Sequence, residues 1–255
     1  MAASLEVSDL ATGVRVLTLS NTAKRNALDK GVLEQLREAL RVPPGIRALL
    51  LRGAGEGIFC AGYDLHELAA YREGEVLPDD HVADVLDGLT HHRLPSVALI
   101  NGPAFGAGCE LAMACDLRVG DPAARFCMPP VKLGLVYSRK GFERVASRVG
   151  VSAARFLFLT GRPVTADRAL QLGLVDLLAI DAKSAAAEAH TLADELASAS
   201  PAAIEGTKAG LALLGPSASP ETLSRYQQLR AESFTSGETK ARLSALIKRP
   251  GASTD

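Results

Sequence analysis

Apolar positions along the first half of the chain switch between two periods. Val14–Leu19 alternates and is rich in branched residues, which predicts a strand. Val32, Leu33, Leu36, Ala39 and Leu40 then recur on one helical face, with Asp29 placed to cap its start. Pro43-Pro44-Gly45 stops that helix. Ala48–Leu51 and Val97–Ile100 read as short buried strands, and Gly53-Ala54-Gly55 turns the chain out of the first. Between them Val82, Val85, Leu86 and Leu89 repeat at helical spacing. A further apolar helical run at Cys109–Ala114 gives way to a strand at Leu117–Val119. Strand and helix alternate, so the expected core is a parallel, layered α/β structure. The polar stretch Ala69–Asp80, which contains Pro and Gly, predicts an exposed loop between helices.

From about Ser138 onward the pattern becomes helical almost throughout. Helices are expected at Val151–Leu159, Ala166–Leu172, Lys183–Ala199, Pro201–Leu214, Pro220–Phe234 and Glu238–Ile247, followed by a polar, mobile tail at Arg249–Asp255. No internal repeat or long low-complexity linker interrupts the chain. A catalytic core over residues 1–190 and a helical region over 191–255 is the division these patterns imply.

Composition narrows the classes of function. The chain has 255 residues, 47% of them hydrophobic, and a formal net charge of −1. It can bury a sizeable core, and its charge balance argues against nucleic-acid binding. No run approaches the length of a membrane span, and MAASLEVSDL lacks the basic-then-apolar pattern of a signal peptide. Cys60, Cys109, Cys115 and Cys127 show no CxxC spacing, so a reduced, cytoplasmic protein is expected.

Two segments could carry chemistry. Phe59-Cys60-Ala61-Gly62-Tyr63-Asp64-Leu65 leaves a strand through small residues and enters a helix, so its backbone N–H groups are free to donate. Asn101–Glu110 follows a buried strand and opens an apolar helix through Gly102, Gly106 and Gly108. That is neither GxGxxG nor a P-loop, but it presents unpaired N–H groups at the positive end of a helix. Ligands of α/β sheets bind at such strand ends, and two convergent N–H donors suit an oxyanion. Either segment alone could equally be a plain strand-to-helix turn.

Taken in order, Lys24-Arg25-Asn26-Ala27-Leu28, Phe59–Leu65, Asn101–Asp116 and Thr165–Asp176 resemble the landmarks of the crotonase (enoyl-CoA hydratase/isomerase) superfamily. The resemblance runs from about residue 10 to about residue 248. It implies a ββα-spiral core, an acyl-CoA thioester ligand, and a C-terminal helical region that packs a homotrimer or a dimer of trimers. It also implies that the oxyanion donors are the N–H groups of Tyr63 and Ala107, the second being glycine in many relatives. Lys24, Arg25, Ala27, Ala61, Asp64, Leu65 and Gly106 fall at positions that line the CoA and acyl sites. No cofactor is expected beyond the CoA of the substrate, and no metal.

The resemblance leaves the reaction open. Hydratases of this superfamily position water with two glutamates. Glu110 matches the first, but the second position carries Pro130 within Met128–Gly134. Phe59–Leu68, Met128–Tyr137 and Arg225–Arg230 resemble the methylmalonyl-CoA decarboxylase branch, in which a tyrosine matching Tyr137 binds the substrate carboxylate. Decarboxylation of a malonyl-type thioester is therefore the leading expectation. A hydratase or isomerase with an altered acid/base set is the alternative, and a silent acyl-CoA-binding subunit is a third. The plainer readings stand beside these: Tyr137 as a packing residue, Glu110 as a carboxylate settled by a helix dipole, His66 as a surface residue, and His91-His92 at a helix end. A basic residue such as Lys248 or Arg249 is a candidate to reach a neighbouring subunit's CoA.

Overall fold

The structure, a computed structural model, describes residues 4–55, 57–214, 219–235, 237 and 241. Lys248, Arg249, the tail and most of the expected helix over Glu238–Ile247 lie outside the described residues. Chain contacts divide the protein into two units, Met1–Ala197 and Ser198–Asp255.

The first unit is built on a six-stranded sheet. In chain order its strands are β1 (Ser4–Asp9), β2 (Val14–Ser20), β3 (Ala48–Gly53), β4 (Ser96–Ile100), β6 (Leu117–Gly120) and β9 (Leu177–Leu178), which is also their spatial order. β1 pairs antiparallel with β2, and every later pair is parallel. A smaller sheet is made of β5 (Pro103–Phe105), β7 (Arg125–Cys127) and β8 (Val164–Thr165).

Helices α1 (Lys30–Ala39), α2 (Leu65–Ala69), α3 (Pro78–Thr90), α4 (Ala107–Ala114), α5 (Arg139–Thr160), α6 (Ala166–Leu172) and α7 (Ala182–Ser198) complete this unit. Asp29 caps α1 as expected, its side chain accepting from the Val32 N–H at 2.8 Å. The two faces of the sheet bury different residues. Val14, Val16, Ala48, Leu50, Val97, Leu99 and Val119 meet the alanine stripe of α7, Ala185, Ala189, Ala193 and Ala197. These alanines recur every four residues, so one flat helix face lies close on the strands. Leu17, Leu19, Leu49 and Leu51 point to the other side, into the larger core with α1, α3 and α4. Each buried leucine there contributes about 1.5–3 kcal/mol relative to exposure.

The structure adds to the expected elements. The Asn101–Glu110 segment is not a simple turn, because β5 inserts three residues of strand before α4. The loop expected over Ala69–Asp80 ends at Leu77, since Pro78 opens α3 and Asp79 and Asp80 occupy its first turn. α5 holds Gly150 at φ 75° and ψ 160°, so two helical pieces meet there. Residue 190 lies within α7. Among the described residues, no helix is long and apolar enough to cross a membrane. The second unit contains α8 (Pro201–Ala212) and α9 (Pro220–Thr235), tied by Arg225 to Glu205 at 2.7 Å.

Candidate active site

Two strand-end segments meet at the N-terminus of α4. Cys60 N–H donates to the Pro103 carbonyl at 3.0 Å, and Phe105 N–H donates to the Cys60 carbonyl at 2.9 Å. Leu28 N–H donates to Gly62 O at 2.8 Å, and Asp64 N–H to Leu28 O at 2.7 Å. In extended backbone, successive N–H groups point to opposite sides. The residue between these two bonds, Tyr63, therefore aims its N–H away from Leu28. Neither Tyr63 N–H nor Ala107 N–H has an acceptor among the described residues. Ala107 is the first residue of α4, where an N–H is left over by the helix pattern.

Close approach of the segments depends on two glycines. A Cβ on Gly108 would lie 2.5 Å from the Cys60 carbonyl oxygen. A Cβ on Gly62, whose φ is +107°, would lie 2.8 Å from the Phe105 oxygen and 3.7 Å from the Ala107 nitrogen. The Ala107 amide therefore sits beside the residue preceding Tyr63. Ala107 itself does not adopt positive φ, so its methyl costs no backbone strain.

Asn26 was not singled out by the sequence. It is 1% exposed and holds φ +56°, and its amide nitrogen donates to the carbonyls of Ala54, Ile58 and Phe59. Its side-chain oxygen accepts from Asn21 N–H at 3.0 Å. One side chain thus closes the segment that leads to Tyr63.

Glu110 lies one turn into α4 and is 2% exposed. Arg144 of α5 donates to it at 2.8 Å, and also reaches Asp87 of α3 at 2.6 Å. Burial pushes the Glu110 carboxyl up to about 7, although the charge and hydrogen bond of Arg144 pull it down. Asp79 adds to the upward push by charge, and a hydrogen-bonding contact from Tyr137 works against it. The Tyr137 phenol is raised well above its ordinary value, first by burial and then by the Glu110 charge. A Cβ on Gly106 would stand 3.3 Å from the Tyr137 hydroxyl, which places that hydroxyl beside the start of α4. The tyrosine ring packs edge-on against Phe158, with centroids 5.6 Å apart.

The structure thus brings Tyr63, Gly106, Ala107, Glu110 and Tyr137 together. Pro130, where a second carboxylate was sought, is buried in a short 3-10 turn, Pro130–Leu133. The other expected ligand positions are more dispersed. Lys24 and Asp64 form an ion pair with one another, and Asp64 also caps α2 through His66 N–H at 2.8 Å. Arg25 and Leu65 are exposed, while Ala27 and Ala61 are half-buried. His66 is exposed, and His91 and His92 stand at the end of α3, bonded to the carbonyls of Asp87 and Leu40. Ser96 donates to Asp116 at 2.8 Å. Burial pushes the Cys60 thiol up to about 12, so it is unsuited to act as a thiolate. Open depressions of about 490 Å³ along Asp9–Gly13 and about 360 Å³ between α5 and α6 do not include Tyr63, Ala107 or Glu110.

A spiral α/β core with a free pair of backbone donors beside a buried carboxyl is the architecture of crotonase-type acyl-CoA proteins. The chain matches the enoyl-CoA hydratase/isomerase family over residues 9–248, and it belongs to that family. It is 34% identical over 254 residues to a probable enoyl-CoA hydratase of Mycobacterium leprae, covering 94% of this chain and 95% of that protein. It is 35% identical to the carnitinyl-CoA dehydratase of Proteus mirabilis, over 72% of each chain. Its fold matches the crystal structure of an enoyl-CoA hydratase from Bacillus anthracis with a TM-score of 0.86 and 27% identity, covering 96% of both. The protein is an acyl-CoA-processing member of this family. These relatives are a hydratase, a probable hydratase and a dehydratase, so they favour the alternative expectation over the decarboxylase branch.

Proposed function

We propose that this protein adds water to an α,β-unsaturated acyl-CoA, or removes it in reverse, with Glu110 as proton donor to Cα. In this reading the thioester oxygen is held by the N–H groups of Tyr63 and Ala107. Electron density from the C=C bond moves onto that oxygen as water attacks Cβ and gives up a proton to a base or to solvent. The enolate collapses by taking the Glu110 proton at Cα. An oxyanion donor acts most strongly when it is fixed before the charge develops, and each is worth about 10²–10³ in rate. The single observation that carries the reading is the buried Glu110 carboxyl, held near neutrality beside two free amides. A proton donor works best with a pKa near the operating pH. The reading calls for no cofactor beyond the CoA of the substrate.

Decarboxylation is the second reading, favoured by the nearness of the Tyr137 hydroxyl to Gly106. It requires a substrate carboxylate at Tyr137, next to Glu110 and within the field of Asp79. The charge of Asp79 opposes a carboxylate at that place, which weighs against this reading. Incubation with crotonyl-CoA and methylmalonyl-CoA, with products read by mass, separates the two. Hydration of crotonyl-CoA that falls at least a hundredfold in Glu110→Gln is expected. Brisk loss of carbon dioxide from methylmalonyl-CoA, abolished by Tyr137→Phe, would reverse the order.

A further inference from the structure

The Pro130 position leaves the hydration reading one group short. Water attacking Cβ must lose a proton, and Glu110 is already assigned to give one. A carboxylate from a different element stands nearby. Asp79 is in the first turn of α3, half-buried, and the backbone N–H of Ser138 interacts with its side chain. Ser138 directly follows Tyr137 and caps α5, its hydroxyl accepting from Gly141 N–H at 3.2 Å. A Cβ on Gly141 would in turn lie 2.9 Å from Glu110 Oε2 and 2.8 Å from the Tyr137 ring. The five residues from Tyr137 to Gly141 thus tie Asp79, Tyr137 and Glu110 to one place. Ion pairs further along α3 hold it against α5: Lys140 reaches Asp84 at 3.1 Å and Asp87 at 2.8 Å, and Arg144 reaches Asp87.

We propose that Asp79 is the second carboxylate of this site and accepts the proton of the attacking water. The inference rests on the hydration reading and completes its proton balance. Water oxygen bonds to Cβ, its proton passes to the Asp79 carboxylate, and the C=C electron pair becomes the enolate. Glu110 then gives its proton to Cα. The ionised Glu110 and protonated Asp79 return to their starting forms by proton exchange, through the Tyr137 hydroxyl or solvent.

The electrostatics fit this division. Burial raises Asp79 most, the neighbouring Asp80 raises it further, and the Ser138 N–H lowers it. Glu110 sits at about 7, under burial, Arg144, Asp79 and Tyr137. Two carboxyls whose environments differ in this way sort into acid and base. Glu110, the deeper of the two, is assigned the acid, and the half-buried Asp79 the base.

The test compares wild type, Asp79→Asn, Asp79→Glu and Glu110→Gln by two readouts. One is hydration of crotonyl-CoA across pH. The other is exchange of the Cα proton of butyryl-CoA with deuterated water, which needs Glu110 and the amides but no attacking water. Asp79→Asn should lose hydration by about a hundredfold or more, in line with general base catalysis, and keep exchange. It should also lose the acid limb of the pH profile, which Asp79→Glu should restore. Glu110→Gln should lose both readouts. Wild-type hydration by Asp79→Asn with the acid limb intact would overturn the role of Asp79 and leave the hydration reading standing. Loss of hydration and exchange together in Asp79→Asn would make Asp79 structural and also overturn it. Neither activity in the wild type would overturn the hydration reading, and this inference with it.

Discussion

Replacing Arg144 by glutamine should move the alkaline limb of hydration to higher pH. Opposing effects set Glu110 near 7: burial raises it, while Arg144 lowers it by charge and through a 2.8 Å bond. Glutamine keeps part of the side chain's volume and polarity but takes away the charge. Asp87 retains a cation, because Lys140 lies 2.8 Å from it. A hydrogen bond to a charged group is worth about 1.5–3 kcal/mol, and one pKa unit is about 1.4 kcal/mol. The Glu110 pKa should therefore rise by about one to two units. With Glu110 as proton donor, hydration by the wild type falls about tenfold per pH unit above its limb. The variant should keep roughly tenfold to a hundredfold more of its plateau rate on that slope. The assay is kcat/KM for crotonyl-CoA from about pH 5 to about pH 10, with melting temperatures taken in the same buffers. A limb that stays in place, or moves to lower pH, in a folded variant would refute the assignment of Glu110 as donor.

Stability should report the same carboxyl with a definite sign. A carboxyl raised by folding binds its proton more tightly in the native state, so its contribution is full below the unfolded value and is lost as pH rises through the folded one. For Glu110 the window runs from the usual 4.5 to about 7, which corresponds to about 3 kcal/mol at roughly 1.4 kcal/mol per unit. Denaturant titrations of wild type and Glu110→Gln should diverge across that window, and parallel curves would count against it. Gly62→Ala places a methyl against the Phe105 carbonyl at a backbone angle L residues avoid, so turnover should fall at least a hundredfold. Asn26→Ala leaves buried carbonyls without their donor; at about 1–3 kcal/mol per unsatisfied group, the melting temperature should drop by roughly 5–10 °C, read by circular dichroism. Exposed Val151, Phe156 and Leu159 on α5, with the family fold, lead us to expect a mass of three chains or a multiple by light scattering, and a stable monomer would contradict it.

The sequence made the long periodic elements legible. β2, β3, β4 and β6 and the helices α1, α3, α6 and α7 follow directly from runs that bury one face or two. The strands β5, β7, β8 and β9 are two or three residues long, too short for a period of two to declare itself. Both free amides were findable, because each follows a small-residue turn at a strand end. Arg144 was not, since nothing local links it to a carboxylate 34 positions earlier. Asn26 was hidden for a different reason: its role depends on a left-handed backbone and three distant carbonyls. Asp79 lay inside a stretch read as loop, yet Pro78-Asp79-Asp80 carries the signature of a helix start, with proline and acidic residues in the first turn. Polar sequence concealed it, because loop and helix cap use the same residues.

Asn26 has a thermodynamic consequence for ligand recognition. Its amide fixes the chain at Ala54, Ile58 and Phe59 through bonds made within the fold itself. The configurational entropy of the turn ahead of Tyr63 is therefore surrendered when the chain folds, not when a thioester arrives. Loosening that turn would transfer the ordering penalty to association, so a change at residue 26 should weaken affinity for enolate mimics more than affinity for the bare CoA moiety.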